Sequence, residues 1–377
     1  MDTKEAIGCL RQLVKAMVSA RVRDKAGWRD WRRVNEALIA ECLAYEQQPG
    51  MPPATSLMSA HFHPELPLIG LNYTGAAHNI LHAHPNGWTL PLRYCRGIVF
   101  DRRGVLRALP FLKFFNYGEH PETNGASTDE FEATEKHDGH LGIVFRYRGQ
   151  FILTTRGTFT HGTSIIGNRL LTERAIRNNW EREYPANLTL LVEVIHPDTK
   201  VHLEYGGRED LIVIGARDTR TLQDYGYNQL VGFAQRFGLP HTQLFYFQTI
   251  EELRQCVQTT EVLDREGFVA RFPDGRRIKF KFYGYLGVMF SAKLTFGYVL
   301  RRIMAGDLDD RLAMMPREDS TRASQWAVQA MTVRDWSGTP KERWTRLYGL
   351  LPEGENTPNN KTTCREFIRW IDQGGSD

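Results

Sequence analysis

The sequence predicts an α+β fold: a central region built on antiparallel sheets, flanked by an N-terminal helical extension and a C-terminal all-α domain. Three observations predict it. Apolar residues recur at helical spacing near the N-terminus, and no proline appears before Pro49. Residues 56–285 carry short β-rich runs separated by turn signals. Residues 286–377 return to helical periodicity with polar connections.

Residues 1–55 form the extension and its linker. Leu10, Leu13, Val14, Met17 and Val18 mark a docking face on a helix. Between Arg11 and Arg33 eight basic residues (Arg11, Lys15, Arg21, Arg23, Lys25, Arg29, Arg32 and Arg33) stand against Asp24 and Asp30. That excess suits an RNA-contacting surface, although a solvated helix face is the commoner explanation. Pro49-Gly50-Met51-Pro52-Pro53 ends the helix, because proline and glycine do not continue one.

Strand-like runs then follow at 97–100, 141–147, 151–155, 188–195, 211–214 and 267–272. Asp101-Arg102-Arg103-Gly104 and Pro273-Asp274-Gly275 supply turns between them. Short strands with tight turns favour antiparallel sheets. In the last region, 299–304, 320–331, 339–350 and 364–372 read as helices. It holds 13 basic and 12 acidic residues, so charge alone does not mark an RNA surface there.

With 377 residues and 41% hydrophobic content the chain can bury a sizeable core. No stretch approaches the roughly 20 apolar residues needed to span a bilayer, and Asp2 and Glu5 argue against a leader, so a cytoplasmic, monomeric protein without membrane contact is expected. Cys9, Cys42, Cys95, Cys256 and Cys364 are scattered and odd in number, so neither a disulfide framework nor a zinc knuckle is suggested. A net charge of +4 permits nucleic-acid binding without announcing it.

The chemistry is concentrated in a set of short motifs in fixed order. Lys136-His137-Asp138-Gly139 offers a nucleophilic amine beside a carboxylate and a turn glycine. The amine must be neutral to attack phosphorus, which neighbouring cations such as Lys279, Lys281 and a metal ion would favour. Gly139 permits close approach of a phosphate or ribose, and Asp138 is available to a metal or to the lysine. Arg156, within Thr155-Arg156-Gly157, suits a ribose or a 5′-phosphate. Glu193 interrupts the apolar run Leu190-Leu191-Val192-Glu193-Val194-Ile195, where an unpaired carboxylate would be costly. It calls for a metal, a cation or a ribose hydroxyl. Glu266-Gly267 opens a strand, and the next places Lys279 and Lys281 on one face, where an α-phosphate between them relieves their repulsion. Upstream, Arg96 and Lys113 suit outgoing pyrophosphate, and Phe115 can pack near a nucleotide. His61-x-His63 and His82-x-His84 lack partner acids at telling spacing and do not read as a metal site. Together the motifs imply nucleotidyl transfer through a covalent lysine adduct.

With these residues the chain resembles the phage-type ATP-dependent RNA ligases that reseal broken tRNA, over residues 68–285. The resemblance implies a nucleotidyltransferase fold in the middle region and a terminal helical domain that helps choose the RNA. It also implies three steps: Lys136 takes AMP from ATP, AMP moves to an RNA 5′-phosphate, and a 3′-hydroxyl displaces it. Magnesium or manganese would be held by Asp138, Glu193 and Glu266. Within Asp307-Leu308-Asp309-Asp310, Asp310 resembles part of an acidic patch reaching a second metal, and Tyr285 is a comparable candidate. Two other readings use the same residues. One is an mRNA-capping guanylyltransferase, whose usual terminal β-barrel the helical tail does not match. The other is a non-catalytic RNA-binding relative.

Overall fold

Strand-forming runs from the middle of the chain assemble into three sheets in a computed structural model, which describes residues 1–22, 34–48, 51–81, 87–123, 130–334 and 336–374. β1 (Met58–Phe62), β2 (Leu68–Tyr73), β3 (Arg96–Asp101) and β4 (Leu106–Ala108) form a four-stranded antiparallel meander. β5 (Phe115–Asn116) and β6 (Glu132–Lys136) enter a second sheet. β7 (His140–Tyr147), β8 (Gln150–Thr154), β9 (Leu188–Ile195) and β10 (Asp210–Asp218) form a third, ordered β10-β9-β7-β8 and antiparallel throughout. β11 (Leu244–Phe245), β12 (Gly267–Arg271) and β13 (Arg277–Lys281) complete the second, ordered β11-β6-β12-β13-β5.

Among the described residues the pairing is not antiparallel everywhere. β13 runs parallel to β5, with Ile278 opposite Phe115 and Lys279 opposite Asn116. These strands are far apart in sequence, so no hairpin fixes their relative direction.

The helices of the first part are α1 (Thr3–Val22), α2 (Glu36–Leu43), α3 (Ala54–Leu57), α4 (Gly75–Leu81), α5 (Leu90–Tyr94), α6 (Thr163–Arg177), α7 (Trp180–Glu183), α8 (Tyr227–Phe237) and α9 (Ile250–Thr259). The last part holds α10 (Tyr283–Ser291), α11 (Phe296–Ala305), α12 (Leu308–Leu312), α13 (Arg317–Met331), α14 (Pro340–Gly349) and α15 (Pro358–Asp372). The fold divides into two units. One comprises Met1–Arg254 with Glu266–Phe280, the other Gln255–Arg265 with Lys281–Asp377. Among the described residues no helix is long and apolar enough to cross a membrane.

In the first unit, α1 buries Ala6, Leu10, Leu13, Val14 and Met17 in the same core as Leu57, Ile69, Leu71, Ile98 and Phe100. Each of its larger side chains contributes ~1.5–3 kcal/mol by leaving water. Arg11 and Lys15 lay their aliphatic stems over the Asp101–Gly104 turn, where a Cβ on Gly104 would lie 2.8 Å from Arg11 Cγ. From the rest of the N-terminal basic cluster, Arg21 falls in α1, whereas Arg23, Lys25, Arg29, Arg32 and Arg33, like His82, His84 and Gly50, lie outside the described residues.

Two faces of the β7–β10 sheet carry separate cores. Val144, Leu190, Val192 and Val194 pack with Leu170, Trp180 and Phe237 from the covering helices. Ile143, Phe145 and Leu191 pack on the other face with Leu68, Val99 and Ala108 of the meander. Strand parity therefore turns Glu193 to the Leu191 side, opposite Leu141 of β7. In the second unit Phe296, Val299, Leu300 and Ile303 of α11 meet Ala323 of α13, Leu347 of α14 and Phe367 of α15 in an all-helical core.

Candidate active site

Lys136 is the last residue of β6 and pairs across the ladder with Gly267 of β12. Gly267 has φ 148°, a conformation few other residues adopt, at the point where the chain turns into β12. This register brings Glu266, 4% exposed, beside the lysine: Lys136 Nζ donates to Glu266 Oε2 at 2.6 Å. The nearest partner of the amine is thus a carboxylate, with Lys279 among the surrounding cations.

The chain leaves β6 through His137 and Asp138. Asp138 is buried, and its Oδ2 accepts from the backbone N–H groups of His202 at 2.8 Å and Leu203 at 2.7 Å, while its own N–H donates to the Tyr205 hydroxyl at 2.9 Å. The carboxylate therefore ties the 202–205 segment to the lysine turn. A Cβ on Gly139 would stand 2.6 Å from the Val194 carbonyl oxygen, so only glycine lets this turn lie against β9. That contact lets the Gly139 N–H donate to the Glu193 carboxylate. Burial pushes the Glu193 carboxyl up to about 7, an effect that Glu266 reinforces and that Lys136, Arg96 and the Gly139 N–H oppose. His137 is buried, with both ring nitrogens lacking a hydrogen-bond partner among the described residues. Burial, with Arg208 and Lys136 nearby, holds its imidazole down at about 4.

Cations gather on the meander side. Arg156 Nη1 donates to the Tyr73 hydroxyl at 2.6 Å, and Arg96 hydrogen-bonds the same tyrosine. Gly97, at φ +95°, makes this possible: a Cβ there would lie 2.5 Å from Ile143 Cδ1 and 3.0 Å from Arg156 Cα. Lys113 is 4% exposed, its ammonium 4.6 Å from the ring centroids of both Trp88 and Phe115 and 5.6 Å from that of Tyr73. Burial first, then Arg96, Arg156 and Arg93, push it down to about 8, with Glu119 opposing. Parallel pairing of β13 with β5 brings Lys279 over the Phe114 ring at 4.7 Å. Burial and the charges of Arg96, Lys136 and Lys113 hold its amine well below the usual lysine range. Among the described residues, no carboxylate oxygen lies within 4.0 Å of the charged groups of Arg96, Lys113, Arg156 or Lys279.

Phe115 is fully buried and stacked on His120, with ring centroids 4.1 Å apart. Its ring supports Lys113 and presents no open face to a base. Lys281 falls in the second unit, with its ammonium 5.0 Å from the Tyr285 ring centroid. Asp310 lies exposed on α12 of that unit, where Asp307 binds Arg302 and Arg311. Among the described residues no group of three or more metal-ligating side chains assembles.

Sequence reasoning missed Tyr73, Trp88, Phe114 and Tyr205, which hold the cations and the lysine turn in place. Aromatic residues at strand ends and in loops carry no spacing signal, and only the fold reveals which cation each one faces.

The RNA ligase family model matches residues 94–290, more than half of the chain. A Thermovibrio ammonificans protein named "Putative RNA ligase" is 32% identical over 195 residues, which is 50% of this chain and 49% of that protein. The chain thus spans about half the length of that curated relative. The solved Naegleria gruberi RNA ligase with PPi is 17% identical at TM-score 0.39, covering 48% of this chain and 59% of that one. A mutant of that ligase with ATP and Mn is 19% identical at TM-score 0.38, with 48% and 58% covered. The stretch matched by the family model runs from Tyr94 through the Lys136 turn, Glu193, Glu266 and Lys281 to Phe290, and by that match the chain belongs to the RNA ligase family.

Proposed function

We propose that the protein is an ATP-dependent RNA ligase joining 5′-phosphate and 3′-hydroxyl RNA ends in RNA repair, with broken tRNA as its substrate class. The observation that carries this reading is the Lys136–Glu266 contact of 2.6 Å beside four cations without carboxylate partners. Such a surplus of positive charge suits a triphosphate.

In the first step Lys136 Nζ bonds to the ATP α-phosphorus as the bond to the β-phosphate oxygen breaks, and pyrophosphate leaves with the electron pair. Glu266, already in contact, is positioned to receive the amine proton. Arg96 and Lys113 would neutralise the outgoing pyrophosphate, Arg156 would hold the ribose or a 5′-phosphate, and Lys279 would stabilise charge on the α-phosphate. In the second step an RNA 5′-phosphate oxygen attacks the same phosphorus, and the P–N bond breaks to return the amine. In the third a 3′-hydroxyl attacks the RNA 5′-phosphorus and AMP leaves.

Glu193 and Glu266 fit a hydrated divalent ion. Both are acids in a confined site, and the penalty that raises Glu193 is one a cation would relieve. When bound, magnesium or manganese supplies positive charge against the reacting phosphates. Asp138 would act by holding the 202–205 segment beside the nucleotide. Residues 56–285 would perform adenylyl transfer and 286–377 would select RNA.

The test is incubation with α-labelled ATP or GTP followed by denaturing gel, then joining assays on a nicked anticodon stem-loop, a linear strand and a nicked duplex. The account expects label retained from ATP and joining of the stem-loop. Label retained only from GTP would favour a capping-type guanylyltransferase, and no label from either would favour a non-catalytic relative.

A further inference from the structure

In the second unit the charge, balanced overall, is unevenly placed. α14 and α15 together carry Lys341, Arg343, Arg346, Lys361, Arg365 and Arg369 against Glu342, Glu366 and Asp372. Asp372 is engaged by Arg343 at 2.7 Å, and Glu342 caps α14 through Thr339. On this pair of helices three of the cations lie over aromatic rings. Trp344 and Tyr348, one turn apart on α14, stack with centroids 5.0 Å apart and planes 9° from parallel. Lys361 Nζ stands 5.4 Å from the Tyr348 ring centroid and the Arg365 guanidinium 5.7 Å from that of Trp344. Arg346 covers Trp336 at 5.1 Å. Lys361 and Arg365 are exposed, and among the described residues neither has a carboxylate partner. Trp344 and Tyr348 are half-buried against the helical core, and their Nε1 and Oη atoms are buried without a hydrogen-bond partner among the described residues.

We propose that the Trp344–Tyr348 stack with Lys361 and Arg365 is a docking surface for the unpaired bases of an RNA strand. This rests on the ligase reading, and it specifies where the terminal helices would meet the substrate. The chemistry is that of a single-strand platform: flat rings accept bases without regard to sequence, and mobile cations beside them meet the phosphates. Lys361 and Arg365 would swing from the ring faces to the backbone as bases take their place. An acidic protein would also be drawn to the cations, but it would have no use for stacked rings.

The experiment uses the full chain. Affinity for a short 5′-phosphorylated single-stranded RNA is measured in wild type, the exposed-charge variant Lys361→Glu/Arg365→Glu, and Tyr348→Leu. Self-adenylylation is measured separately without RNA. The proposal expects RNA affinity to fall on the order of tenfold in both variants. It also expects the salt slope to shrink by about 1 per lost phosphate contact in the charge variant. Self-adenylylation should stay at the wild-type rate. Unchanged RNA affinity in the charge variant would overturn it. So would RNA affinity lost with the charges but kept in Tyr348→Leu, which would mark a plain electrostatic face open to an acidic protein. Absent self-adenylylation in wild type would count against the ligase reading alone, since the binding arm reads the platform independently.

Discussion

Glu193 is an acid whose sequence context and whose site make opposing demands. Placed by strand parity beside Lys136 and Glu266, it is held at about 7 chiefly by burial. Its carboxyl in the unfolded chain titrates near 4.3, so the folded state binds the extra proton between those values. Unfolding free energy therefore falls as pH rises from that lower value to about 7, and stays lowered above it. Glu193→Gln should remove that fall, making the variant more favourable relative to wild type at pH 8 than at pH 5 by on the order of 2 kcal/mol in urea titrations. Equal differences at both pH values would contradict the placement. On the proposed role of Glu193 in holding a divalent ion, the same substitution should slow self-adenylylation on the order of tenfold or more.

Lys113, caged by Trp88, Phe115 and Tyr73, is pushed down to about 8, so the free enzyme should lose the charge proposed to meet pyrophosphate as pH rises through that value. KM for ATP should climb above pH 8 in wild type and stay flatter in Lys113→Arg; parallel profiles would contradict this. Lys136, Glu193 and Glu266 were legible from local residue chemistry in a fixed order. The aromatic cage was not, because Trp88 and Tyr73 come from separate segments and meet Lys113 only through the fold.

Among elements, strands read most faithfully. The apolar run 188–195 is β9 at both ends, and 141–147 lies within β7, because a strand buried on both faces reads as a short continuous apolar run bounded by turns. Helix α6 left no such signal. It carries Gly167 in its interior, where a Cβ would lie 2.7 Å from Leu153 Cδ2, so close packing on β8 overrides the cost of glycine in a helix. α15 begins at Pro358, ahead of the periodic residues, because proline suits a first turn that Thr357 caps. The same logic of close approach governs Gly97, which lets the Arg156 turn touch β3. Gly97→Ala should destabilise the protein by ~1–3 kcal/mol in thermal or urea unfolding and raise KM for ATP by displacing Arg156. Wild-type stability with wild-type KM would show that this approach is unimportant.

At the scale of the whole molecule, α1 is part of the core beneath the β1–β4 meander, with Leu10 and Leu13 fully buried. Leu10→Ala should cost ~2–5 kcal/mol, measured by urea unfolding of the full chain. A cost near zero would mean that α1 is a detachable arm. Helical periodicity made α1 visible in sequence, but not the meander it covers, since docking partners leave no mark on a single amphipathic face. The central claim is that one amine, on the last residue of β6, accepts adenylate. Its most direct test is mass spectrometry of peptides after incubation with ATP and a divalent ion. The expected result is AMP on Lys136, and none in Lys136→Ala; AMP on another residue, or an undiminished adduct in that variant, would contradict it.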